Sequence, residues 1–137
     1  MMGSYSIDDL KVGMSDYIQK TVTEADVVLF AGVSGDFNPV HIDEEYAKKS
    51  IFKTRIAHGM LSAGFISAAL STKLPGPGCI YLAQNLKFKA PVKINDTVKT
   101  TLTILDVNVK RKIVKIETIC SVGDTKVIVG EATVMMQ

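Results

Sequence analysis

The chain has 137 residues, 47% of them hydrophobic and 22% charged, with a net charge of +2. That length suits one domain spanning 1–137 with a real buried core, and the balance is ordinary for a soluble chain. A charge this small gives no reason to expect nucleic acid, and no apolar run reaches the roughly 20 residues of a membrane span.

Met1-Met2-Gly3-Ser4-Tyr5 leads straight into Asp8 and Asp9, with neither a basic nor an apolar leader region, so no signal peptide is expected. After the Val12-Gly13 turn, Tyr17 to Val22 reads as a short strand. Thr23 with Asp26 three positions later forms a capping-box pattern. Val27, Val28, Phe30 and Ala31 carry that helix to Gly35, a natural stop. Asp43 can cap a second helix, Glu44 to Lys49. A third runs from near His58 to about Thr72. It is apolar on nearly every side, which predicts burial all round, and its Ala63, Gly64, Ala68 and Ala69 would admit a closely packed sheet.

Pro75-Gly76-Pro77-Gly78 closes the helical half. Four β-rich stretches follow, about Cys79–Ala90, Thr97–Val109, Ile113–Val122 and Lys126–Met136. Turns at Asn95-Asp96, Lys110-Arg111-Lys112 and Gly123-Asp124 divide them. Tyr81 and Phe88 read as core residues of the first stretch. The order predicts an α+β fold, with a curved antiparallel sheet wrapped around the apolar helix. Cys79 and Cys120 form no CxxC and only two histidines are present. The expectation is a reduced, cytoplasmic chain with inert thiols and no metal site.

The chemistry concentrates in Ser34-Gly35-Asp36-Phe37-Asn38-Pro39-Val40-His41 and, seventeen residues after His41, His58-Gly59-Met60. Asp36 and His41 lie five positions apart, a spacing that on one helix would separate them by roughly 140°. Pro39 biases Asn38 toward extended backbone, so the segment must turn. Asp36 is then expected at the end of one helix and His41 just before the next, converging as an acid–base pair.

The run Ser34 to Asp43 closely resembles the signature of the MaoC-like (R)-specific enoyl-CoA hydratases. Ala57-His58-Gly59-Met60-Leu61 and Ile80 to Val92 resemble the same family in the same order, and the likeness covers about Val12 to Met136. It implies a hot-dog fold, an antiparallel sheet around a long central helix. It also implies reversible hydration of a trans-2-enoyl-CoA, with no cofactor beyond the coenzyme A carried by the substrate. Asp36 and His41 would activate water, and the Gly59 N–H at the helix start would hold the thioester oxygen. Asn38 and Ser67 would support the site, with His58 beside them, and the protein would be a homodimer.

Each residue also has a plainer reading. Asp36 alone suits a helix end, His58 a packing or capping role, and Ser67 an ordinary helix position. Lys110-Arg111-Lys112 suits a solvated hairpin tip, and Lys87 and Lys89 make only a weak claim on coenzyme A phosphates. Two other functions fit the same fold: an acyl-CoA thioesterase and a non-catalytic acyl-CoA-binding subunit. The presence of both Asp36 and His41 argues against each. No GxSxG or dinucleotide fingerprint is present.

Overall fold

The computed structural model describes residues 4–137; Met1-Met2-Gly3, part of the stretch weighed above as a leader, lies outside the described residues. After a 3-10 turn, Ile7–Asp9, the elements are β1 (Ser15–Thr21), α1 (Glu24–Ser34), α2 (Pro39–Ile42), α3 (Glu44–Ala47), α4 (Gly59–Thr72), β2 (Ile80–Phe88), β3 (Thr97–Asn108), β4 (Ile113–Val122) and β5 (Thr125–Met135). The strands form one antiparallel sheet in the order β1-β3-β4-β5-β2, and α4 packs against β1, β3 and β4. This is the expected α+β sheet-and-helix arrangement.

The sequence dictates most of these boundaries locally. Thr23 accepts from the Asp26 N–H at 3.1 Å while Asp26 accepts from the Thr23 N–H at 3.0 Å, closing the capping box of α1. Gly35 ends α1 with φ of +78°, the left-handed conformation that glycine adopts without a Cβ penalty. β3 and β4 alternate buried and open positions, turning Val98, Leu102, Ile104, Val114 and Ile116 into one core with Ile66, Ala69 and Leu70 of α4.

Several expectations require correction. α4 is not buried all round: Leu61, Ser62, Ile66, Ala69 and Leu70 are covered, but Met60 is 56% exposed and Gly64, Ser67 and Ala68 lie open. The small residues mostly face away from the sheet, because one sheet covers only one side of a helix. Tyr81 and Phe88 are not core residues, at 40% and 54% exposure, since β2 is an edge strand. Finally, His41 lies inside a short helix rather than just before the next one. Pro39 starts that helix instead of breaking it, since a first-turn residue needs no N–H partner. The helix after Asp43 ends at Ala47, two residues earlier than expected.

Candidate active site

The chain leaving α1 is folded by its own short polar side chains. Ser34 Oγ donates to the Phe30 carbonyl at 2.7 Å and accepts from the Asp36 N–H at 3.1 Å. Asp36 Oδ1 accepts from the Asn38 N–H at 3.1 Å, and Asn38 Oδ1 accepts from the Val40 N–H at 3.3 Å to cap α2. Two successive turns of this kind, followed by Pro39 at the first helical position, carry the chain from Asp36 to His41. Asn38 therefore caps α2 at the end of this loop.

His41 is buried, and its Nδ1–H donates to the Ile56 carbonyl at 2.7 Å. A carbonyl can only accept, so the neutral ring carries its proton on Nδ1 and keeps a free lone pair on Nε2. Burial pushes the imidazole below its usual pKa of 6.5, and the nearby His58 and Arg55 push the same way. The Ile56 hydrogen bond and the Asp36 charge oppose this without cancelling it. A neutral His41 with an available Nε2 is thus the favoured form near neutral pH.

His58 stacks on His41 with ring centroids 3.9 Å apart and 26° between planes, and Phe30 lies 4.8 Å away on the same ring. Its Nε2–H donates to the Asp36 main-chain carbonyl at 2.9 Å. His58 therefore ties the loop that carries Asp36 to the start of α4 and sets one wall of the His41 slot. Its Nδ1 is buried with no partner.

These groups line a cavity of about 460 Å³ together with Gly59, Ser62, Phe88, Lys89 and Val92. Gly59 is the first residue of α4, where free N–H groups and the positive end of the helix dipole meet. A Cβ there would stand 2.6 Å from the Phe88 ring, so glycine is what lets Phe88 close against the helix start. Asp36, His41, His58 and Gly59 are thus brought together, while Asn38 shapes the loop without lining the cavity. Ser67 is not among them: it lies two turns along α4, in a neighbouring hollow with Phe30, Gly64, Tyr81 and Leu86 that meets the first at Met60. The serine that does line the cavity is Ser62, whose buried hydroxyl has no partner. Its four-residue spacing from His58 on one helix face was the signal that could have found it.

Asp36, His41 and His58 each offer a donor atom within 4.8 Å of the others. A tetrahedral ion about 2.1 Å from each nitrogen needs donors about 3.4 Å apart with converging lone pairs. The stacked rings instead point their in-plane lone pairs side by side, and His58 Nε2–H is engaged by Asp36. The cluster fits proton transfer better than metal ligation.

A family model, MaoC like domain, matches residues 12–125. The chain is 57% identical over 129 residues to an (R)-specific enoyl-CoA hydratase of Rhodospirillum rubrum, covering 94% of this chain and 90% of that one. It is 45% identical over 127 residues to a 3-hydroxybutyryl-CoA dehydratase of Methylorubrum extorquens, covering 93% of this chain and 81% of the relative. Among solved structures it superposes on the unliganded R-hydratase PhaJ1 of Pseudomonas aeruginosa with a TM-score of 0.90 and 44% identity, covering 95% and 84% of the two chains. With that match over most of its length, this chain belongs to the MaoC-like family.

Proposed function

We propose that this protein is an (R)-specific enoyl-CoA hydratase, a hydro-lyase that reversibly adds water to a trans-2-enoyl-CoA to give (R)-3-hydroxyacyl-CoA. One observation carries the proposal beyond the family relationship: the Ile56 carbonyl leaves His41 Nε2 as a free base in the cavity that Asp36 shares. Asp36 orients a water molecule and His41 Nε2 takes its proton as the oxygen bonds to C3. The electron pair of the double bond passes toward the thioester oxygen, which the Gly59 N–H at the start of α4 stabilises. The enolate then recovers the proton at C2 from His41. Delivery of oxygen and proton from one side makes the addition syn. The net change is one water added, so no cofactor is consumed.

The relatives from Rhodospirillum rubrum and Methylorubrum extorquens are named for acyl-CoA thioesters, and the same class of small-molecule substrate is proposed here, in the cytoplasm, with neither nucleic acid nor membrane as partner. No helix among the described residues is long and apolar enough to cross a membrane. We also propose a homodimer. Edge strand β2 presents Ile80, Tyr81 and Leu82 to solvent beside the open side of α4, and a strand edge so apolar invites pairing with a second copy. Ser67 would then face the neighbouring subunit. Light scattering checks this, and an active species at the 14.8 kDa of one chain contradicts it.

The direct test is loss of the enoyl thioester absorbance with crotonyl-CoA as substrate, read beside a thiol reagent. Absorbance loss without thiol release is expected. Release of free coenzyme A would identify a thioesterase instead, and silence in both channels a binding subunit.

A further inference from the structure

His41 is held by more than its ring. Arg55 Nε–H donates to the His41 main-chain carbonyl at 2.7 Å, and the two terminal nitrogens of Arg55 donate to the Glu24 carboxylate at 2.8 and 3.0 Å. Glu24 is the first residue of α1, and His41 sits in α2. The Arg55 backbone is fixed as well: its N–H donates to Glu44 Oε1 at 2.9 Å, and Thr54 Oγ1 donates to the same carboxylate at 2.8 Å. The next residue is Ile56, whose carbonyl fixes the His41 tautomer. One guanidinium thus joins the start of α1, the backbone of His41 and the loop bearing that carbonyl.

The geometry suits this task. A bidentate carboxylate leaves Nε of the planar fork free for a third, differently aimed bond, which the point charge of a lysine cannot reproduce. The Arg55 side chain is only 15% exposed, yet it does not line the cavity. Its partner Glu24 is largely open to solvent, where an ion pair contributes little to stability. Holding three segments in register is therefore the better account of the network.

We propose that Arg55, oriented by Glu24, is a positioning residue for the hydration: it sets the His41 backbone and the Ile56 carbonyl so that Nε2 stays unprotonated and aimed into the cavity. This rests on the function proposed above. The charged and titratable groups around His41 are Asp36 at the end of α1, His58 before α4, Arg55 itself and Lys89 across the cavity. Arg55 disfavours the imidazolium, but the Ile56 hydrogen bond that it positions favours it more strongly, so loss of the guanidinium and loosening of that bond together move the His41 titration downward.

The experiment compares the full chain with Arg55→Gln, Arg55→Lys, Glu24→Gln and a control, Lys20→Met, which breaks a 2.6 Å ion pair on the surface without touching His41. Crotonyl-CoA kinetics are read across pH, and the two imidazole rings are followed by nitrogen NMR, with His58→Asn to assign them. Arg55→Gln is expected to lower kcat about 10- to 100-fold, the scale of a misplaced reacting group, with KM changed less than about threefold. Its acid limb moves to lower pH, and its His41 spectrum becomes a mixture of tautomers. Arg55→Lys, which keeps the charge without the fork, lowers kcat and moves the acid limb down at least as far, Glu24→Gln lowers kcat less, and Lys20→Met matches the parent throughout. The proposal is overturned if Arg55→Gln keeps more than half of kcat with an unmoved limb and the parental His41 tautomer. Should Arg55→Gln not fold, Arg55→Lys and Glu24→Gln decide by the same readings. Should the parent fail to hydrate crotonyl-CoA, the function falls, while the tautomer and titration measurements, which need no substrate, still decide the clamp.

Discussion

β3, β4 and β5 pair along nearly their whole lengths and bury alternate residues, whereas the segment from Thr23 to Gly59 consists of short helices joined by side-chain hydrogen bonds. The first region holds its shape by apolar burial; its buried polar side chains are the threonines Thr100 and Thr118. The second carries both histidines and Asp36, and it is shaped by Ser34, Asn38, Asp43 and Arg55 acting on nearby backbone. Stability and reactive geometry therefore rest on different residues, and substitutions can separate them.

The largest separation is expected at the pair itself. Asp36→Asn or His41→Gln should lower hydration by about two to four powers of ten, the scale of positioned acid–base groups. Circular dichroism should be unchanged in both, and thermal unfolding nearly unchanged for Asp36→Asn, because Asp36 is open to solvent. Retention of more than about half the activity would remove the pair from the chemistry. The mirror experiment is Leu102→Ala, in a fully buried position of β3. It should cost about 2–5 kcal/mol in chemical denaturation while leaving the rate per folded molecule close to the parent's. A large drop in that rate would show that the sheet also sets the reactive geometry.

The two regions were not equally legible. The long strands and the ends of α1 could be read from the chain, because alternation and the Thr23/Asp26 box are local signals. The Asp36/His41 pair was legible too, as a motif. The carbonyl that fixes His41 was not, since any residue at position 56 presents one. Nor was the His41–His58 stack, which joins residues seventeen positions apart. Apolar alternation also cannot tell an inner strand from an edge, so Tyr81 and Phe88 looked like core residues. Ser67 and Ser62 differ only in which side of α4 they occupy, and that depends on where the cavity lies.

A smaller effect comes from pH. His41 titrates below 6.5 in the folded protein because it is buried, so the rate should hold through neutrality and fall only on the acid side of that value. The sign for stability is the same. Below pH 6.5 the unfolded chain takes up the proton first, so the folded state loses stability until the folded pKa is passed. An acid limb above 6.5 in kcat/KM would assign the base to a different group. Smallest is Thr23→Ala, which removes the α1 cap and should cost about 1 kcal/mol by urea denaturation. Its rate should change little; a loss beyond tenfold would show that the cap also steers Glu24 and Arg55.

The most direct measurement is the configuration of the product. Crotonyl-CoA is incubated with the protein and the 3-hydroxybutyryl-CoA formed is offered to an (R)-specific and, separately, an (S)-specific dehydrogenase. The relationship to (R)-specific enoyl-CoA hydratases, 57% identical in the relative from Rhodospirillum rubrum, predicts a signal from the (R)-specific enzyme and almost none from the other. A dominant (S) signal, or no hydration at all, would contradict it.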